Sequence, residues 1–429
     1  MTRVARPSHF ATLIWLIRIP LGWPARVFGW RAYLKWPAMA LAAATLATLS
    51  WRQTSLRDLP DIGDPFDVAA FQAIDVPESR NAYVLYDRAI RATRGLGLDF
   101  RGPIQISPIP ALVSENDEAL RLWREGTERP DAIDPLGNSA YQFPKNFTSA
   151  GLPVLAQLAL AKAAGSEAVG DMAGAWGWYR AVLRSSRHVG MHGHLRHRER
   201  GSAILTFADK PIRRWAADPR VDGPLLRRAL AEARAIDAMT APASDALKRQ
   251  YFIDLEMLEW HEAVWPSQPP DRRLGPVLQM LPVFPRFRSY LMREPDRSRR
   301  LIRLIYANRL AYADRPRAAR PTLGGAVTGL YDLADDPNAP ASVRAFDLPN
   351  FLTWFNSSLL PVSPFQTSWG RMRVLNTEEP VRADLLIELA SECYRRDHGQ
   401  RPESPQALVG PYLDRLPDDF EPPEPASKP

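Results

Sequence analysis

Leu152-Pro-Val-Leu-Ala-Gln-Leu-Ala-Leu-Ala-Lys-Ala-Ala164 is apolar on nearly every side of a helical wheel. A helix of that kind has to be buried. After the break Gly165–Gly170, Asp171 opens a second periodic stretch that carries Ala175, Trp178, Tyr179, Val182 and Leu183 on one face. The two stretches predict a helical hairpin, and with it a chain that is mainly α.

The same periodicity continues on both sides. Upstream, Ala82, Leu85, Tyr86, Ala89 and Ile90 predict a helix over 80–94, stopped by Gly95. Ser114 is placed to cap a helix through Glu125, with Ala119, Leu122 and Trp123 facing inward and acidic residues in its first turn. Residues 96–113 and 127–148 read as irregular. Downstream, helices are expected near 196–217, 223–238, 243–265 and 297–313, the first split by Pro211. The last strong helix is expected over 381–397, with Leu386, Leu389, Ala390, Cys393 and Tyr394 on one face. Gly399 caps it, and Ser404-Pro405 restarts a short helix that Gly410-Pro411 closes.

The pattern Gly170-Asp171-x3-Ala175-x2-Trp178-Tyr179-x2-Val182-Leu183 resembles the second half of a tetratricopeptide repeat. Ala82-x3-Tyr86-x2-Ala89-Ile90 and Ala119-x3-Trp123-x2-Gly126 echo it, without a fixed period. The resemblance implies stacked helical hairpins that present a binding surface. A second resemblance lies at the C-terminal end. Tyr394-x4-Gly399-x2-Pro402-x4-Ala407-Leu408, then Tyr412-Leu413 and Pro417-Asp418, is similar to the C-terminal pattern of type II secretion pseudopilins. It is similar as well to uncharacterised membrane-anchored α-helical proteins of high-GC bacteria. The first of these implies an accessory place in an envelope secretion or pilus-like assembly. The pseudopilin N-terminal span, which begins at a processed Phe, is absent.

Charge is distributed unevenly. Residues 1–52 hold seven basic groups (Arg3, Arg6, Arg18, Arg26, Arg31, Lys35 and Arg52) and no Asp or Glu. The remaining chain carries 48 basic and 48 acidic groups, so the net charge of +7 belongs to the N-terminal segment. A neutral body lacks the field that phosphate binding exploits, and no nucleic-acid partner is expected. One cysteine, Cys393, excludes an intramolecular disulfide. It lies on an apolar stripe and reads as core.

Trp36–Trp51 contains no charge, is flanked by Lys35 and Arg52, and carries a Trp at each end. Five of the 13 tryptophans fall in the first 51 residues, and Trp favours the membrane–water interface. The stretch predicts an N-terminal transmembrane helix anchored by Lys35, Trp36, Trp51 and Arg52, if the two cations snorkel. Six of the seven basic groups precede it, which puts the N-terminus in the cytoplasm and the body on the exported side. A cleaved signal peptide and a buried helix of a soluble protein are the other two readings of this stretch. A retained anchor fits best, because the basic part is long and no small-x-small cleavage site precedes Trp51.

The expected organisation is therefore a basic cytoplasmic or interfacial segment (1–35), an anchor (36–52), a tether (53–77) and a helical body (78–265). Proline-rich connectors with short helices (266–380), a C-terminal helical motif (381–418) and a disordered tail (419–429) complete it. Proline is abundant, at 41 residues, and punctuates the second half.

Four of the seven histidines, His188, His192, His194 and His197, fall within ten residues. A continuous helix would place His188 and His192 on one face, as transition-metal ligands require. Gly190 and Gly193 interrupt that helix, and Arg184, Arg187, Arg196, Arg198 and Arg200 surround it. Arginine and histidine together suit an anion or an acidic partner better than a divalent metal. His261-Glu262-x-x-Trp265 begins like a zinc-protease motif, but Trp265 stands where the second ligand belongs. Asp254, Glu256, Glu259 and Glu262 read as a solvated helix face. No nucleophile-elbow, Walker or dinucleotide motif occurs, and no cofactor is expected. Two functional expectations follow: a membrane-anchored helical binding or scaffolding module with the bilayer and a protein as partners, or a metal-dependent enzyme using the His188–His197 cluster.

Overall fold

Apolar periodicity at helical spacing becomes helix throughout. The computed structural model describes residues 25–54, 61–94, 110–134, 147–264, 294–316, 319–320 and 373–417. Among them there are helices and two isolated bridge pairs, Asn81 with Asp131 and Val409 with Leu413, and no strands. In chain order the α-helices are α1 (Ala25–Thr54), α2 (Val68–Gln72), α3 (Ala82–Ala92), α4 (Pro110–Glu115), α5 (Asp117–Thr127), α6 (Phe147–Ala168), α7 (Met172–Gly190), α8 (Leu195–Ala217), α9 (Gly223–Asp237), α10 (Ala243–Val264), α11 (Glu294–Leu310) and α12 (Arg373–His398). A 3-10 turn, Pro405–Leu408, follows. The expectations for 1–24, for 95–109 and for most of 266–372 and 419–429 lie outside the described residues.

The chain divides into two units, residues 1–60 with 266–297 and residues 61–265 with 298–429. In the first unit, α1 runs unbroken through the charge-free stretch and through Pro37. Its side chains Trp36, Met39, Leu41, Leu46 and Leu49 are exposed. The hydroxyls of Thr45 and Thr48 donate to the carbonyls of Leu41 and Ala44 one turn back. Among the described residues no helix is long and apolar enough to cross a membrane. In α1 the length is there, but alanine and threonine supply half of the charge-free stretch and contribute little apolar area.

The second unit is a layered helical body. The hairpin α6–α7 forms as expected. Gly170 turns the chain at φ +84°, and the Asp171 side chain accepts the Gly174 N–H to start α7. One continuous core joins α3, α5, α6, α7, α8, α9 and α12. Trp123, Trp176 and Trp215 are fully enclosed in it. Trp176 and Trp215 stack with centroids 5.2 Å apart, and their N–H groups reach Glu232 and the Met172 carbonyl. The Trp123 N–H makes no hydrogen bond within the chain. Trp178, assigned to the core face by spacing, is half-buried instead, with the Arg124 guanidinium 4.7 Å over its ring.

Several boundaries move. The helix expected from Ser114 begins at Asp117 after Asn116. Ser114 sits in α4 and donates to the Ala111 carbonyl. Helix α8 is not split at Pro211, because Ala208, Ile212 and Trp215 are buried on either side and hold it straight through. Helix α12 begins at Arg373, eight residues before the expected start, and carries Pro380 inside it. Gly399 ends it at φ +75°, with its N–H on the Arg395 carbonyl.

Residues 61–77 are docked on the body rather than forming a free tether. Asp67 caps α2. Phe66 meets Phe71, Tyr251 and Phe252 edge-on at 5.5–5.7 Å. Arg303 pairs with Asp61 at 2.9 Å and Asp64 at 3.2 Å, and the Tyr251 hydroxyl donates to Asp64.

Candidate functional site

The turn between α7 and α8 holds the four histidines and the arginines around them. It is built by a close crossing. A Cβ on Gly201 would lie 2.4 Å from the Ser186 carbonyl oxygen, so only glycine lets α8 approach α7 this closely. That approach brings Arg187 on α7 and Arg198 on α8 to the same place.

His194 and His197 pack together, but the four histidines do not converge on one centre. Helix α7 ends at Gly190, and His192 takes a left-handed backbone at φ 52°. The i, i+4 face that would have paired it with His188 therefore never forms. His188 is fully buried, and its Nδ1 lies 2.8 Å from the Tyr86 hydroxyl. Burial pushes its pKa down to about 3, Arg184 adds to the effect, and the Arg129 carbonyl opposes it. His192 is half-buried, which lowers its pKa as well. His194 caps α8 by accepting the Arg196 N–H at its Nδ1, which requires that nitrogen to be unprotonated. His197 stacks edge-on to His194 with centroids 4.3 Å apart and points its Nε2 at Asp134, 3.3 Å away. Among the described residues no group of three or more His, Cys, Asp or Glu side chains is placed to hold a metal ion. Of the expected metal set, His188, His194 and His197 go to separate polar partners, and His192 is set apart by its left-handed backbone.

The arginines found an acidic partner, and it comes from α12. Glu378 is buried at 4% exposure. Its two oxygens accept from Arg187 Nη1 and Arg198 Nε, each at 2.9 Å. Arg382, one turn along α12, lies 3.8 Å from the same carboxylate and donates to Asp237 at the end of α9 at 2.9 Å. Burial works to raise the Glu378 pKa, but the guanidiniums of Arg198, Arg187 and Arg382 outweigh it, so it sits below the usual carboxylate range. Burial lowers Arg187 to about 10. A further pair, Arg320 with Glu379 at 2.8 Å, is nearly as buried. Helix α12 is thus fastened through charge as well as through Leu385, Leu389 and Cys393. Cys393 is core, and burial pushes its thiol up to about 12.

A second buried polar group lies between α10 and α11. Asp254 was assigned to a solvated face, yet it is 2% exposed. Gln250 donates to it at 2.9 Å and the Tyr306 hydroxyl at 2.6 Å. Burial raises its pKa to about 6, against the hydrogen bonds from Tyr306 and Gln250 and the charge of Arg309. Sequence reasoning missed Glu378, Arg382, Asp237 and Tyr306, because no local pattern links residues up to 191 positions apart. An Asp among buried aromatics on α10 was the one available signal.

Comparison with known protein families, with characterised proteins and with solved structures finds no match.

Proposed function

We propose that this chain is a bilayer-attached helical module, held by α1, whose body serves as a binding or scaffolding surface on the exported side. The exposed apolar side chains of α1 carry the reading. Trp36, Met39, Leu41, Leu46 and Leu49 are solvent-facing, and at 100° per residue they are distributed around the helix rather than along one stripe. A helix lying flat on a membrane would show a charged face opposite an apolar one. The stretch 36–51 has no charged residue at all. The threonine hydroxyls inside it are satisfied by backbone carbonyls, as lipid surroundings require.

The charge-free stretch is about 24 Å long at 1.5 Å per residue, against a hydrocarbon core of about 30 Å. Lys35 and Arg52 flank the stretch, and snorkelling of flanking cations is the general way a short span closes such a difference. The excess of basic residues before the charge-free stretch orients the N-terminus to the cytoplasm. For the body, the hairpins α6–α7 and α7–α8 and the tetratricopeptide-like spacing support a surface that binds another protein.

Flotation of the full chain with phosphatidylcholine–phosphatidylglycerol vesicles tests the attachment. The wild type is expected to float and to resist an alkaline carbonate wash. Leu41→Lys with Leu46→Lys is expected to float at least about 10-fold less, since each charge in the apolar stretch costs roughly 2.5–3.5 kcal/mol. A wild type that stays monodisperse at the bottom of the gradient overturns the reading.

A further inference from the structure

The charge balance of the α7–α9–α12 junction does not close. Three guanidiniums, Arg187, Arg198 and Arg382, meet two carboxylates, Glu378 and Asp237. Arg187, Arg198 and Glu378 are buried, while the Arg382 and Asp237 side chains keep 15% and 28% of their surface exposed. Arginine cannot escape by losing its proton, and an unmatched charge in a protein interior is costly.

The donors are unmatched too. Arg187, at 5% exposure, gives Nη1 to Glu378, while its Nε makes no hydrogen bond within the chain. Arg382 gives Nη1 to Asp237 and to the Thr240 hydroxyl. Its Nε likewise makes none, standing 3.8 Å from Glu378. Arg198 has no such surplus at its Nε and Nη1, which go to Glu378 and to the carbonyls of Ala241 and Pro242. Both Arg187 and Arg382 line a cavity of about 10 Å³, together with Asp237 and an apolar wall of Leu183, Ile236 and Leu385. That volume admits one guest of about the size of a water molecule. Phosphate, sulfate and organic carboxylates are too large for it.

We infer that this junction is a binding site for one small monovalent anion of the halide class, held between the guanidiniums of Arg187 and Arg382. A halide supplies the missing negative charge and accepts from donors that the chain leaves over. A water would accept from the same donors and leave the charge unbalanced. The apolar wall favours a weakly hydrated ion over a strongly hydrated one. The site ties the end of α9 and the start of α12 to α7, so the anion acts on how firmly α12 is seated.

The test uses the full chain in detergent at pH 7.5 and fixed ionic strength, with gluconate replaced stepwise by chloride or bromide. The unfolding temperature is expected to rise saturably, by about 2–4 °C. Arg382→Gln is expected to abolish the halide dependence whatever its own unfolding temperature. Crystals grown in bromide should show an anomalous peak between Arg187 and Arg382. No halide dependence, a dependence that survives in Arg382→Gln, or a junction holding water without an anomalous signal each overturns the proposal.

Discussion

Helices α1 and α12 are both long, both run through a proline, and each inverts the usual rule of what a helix hides. Helix α1 exposes its apolar side chains, with Trp36 72% and Leu41 70% accessible, while α12 encloses charges, with Glu378 at 4%. The difference shows where each helix finds its complement. The charges of α12 are answered inside the chain, by Arg187 and Arg198. The apolar surface of α1 is answered by a medium outside it, for which a lipid bilayer is our proposal. Burying charge is tolerated where partners are pre-placed, and exposing apolar surface is tolerated where the surroundings are apolar.

Breaking the α12 side should give the largest effect. Glu378→Gln leaves two buried guanidiniums facing a neutral amide, and should destabilise the body by about 3–5 kcal/mol in denaturant unfolding at pH 7.5. A loss under about 1 kcal/mol would mean that the cluster is not charge-paired in the native state.

Asp254 sharpens the comparison, because it is as buried as Glu378 and titrates the opposite way. The Glu378 pKa is lowered on folding, so its contribution is present above the unfolded carboxylate range and is lost as pH falls. The Asp254 pKa is raised to about 6 from 3.8. The native state therefore holds its proton longer, and stability falls as pH rises from about 4 through about 6. The full penalty at neutral pH is about 3 kcal/mol. Asp254→Asn should remove this slope between pH 4.5 and 7.5, and should be more stable than the wild type at pH 7.5 by about 1–3 kcal/mol. A slope that persists in Asp254→Asn would assign it to another group.

On the α1 side, the smallest change is expected. Leu41→Lys with Leu46→Lys should leave the unfolding free energy of the body within about 0.5 kcal/mol of wild type, since exposed side chains far from packing features contribute little. A large loss would mean that α1 packs on protein and not on lipid.

The helices themselves were legible where periodicity is strong. The α6–α7 hairpin, the Asp171 cap and the Gly399 stop follow directly from spacing and terminal residues. Proline misled the reading at Pro211 and Pro380, where tertiary packing outweighs one lost hydrogen bond and keeps the helix intact. The candidate site was legible only in composition. Arginine beside histidine pointed to an acidic partner, but nothing in the order of residues could show that the partner was Glu378, reached by the fold across 180 positions from Arg198. Asp254 was misassigned for a related reason. Its helix alternates charged and apolar residues, and which face is covered depends on α11, far along the chain.

The central claim, that α1 sets the membrane attachment and the side on which the body works, is tested most directly by topology. A reporter that is active only outside the cytoplasm, fused after residue 60, should be active, and the full-length chain should stay in the membrane fraction after carbonate extraction. An inactive reporter together with a freely soluble chain would contradict the account.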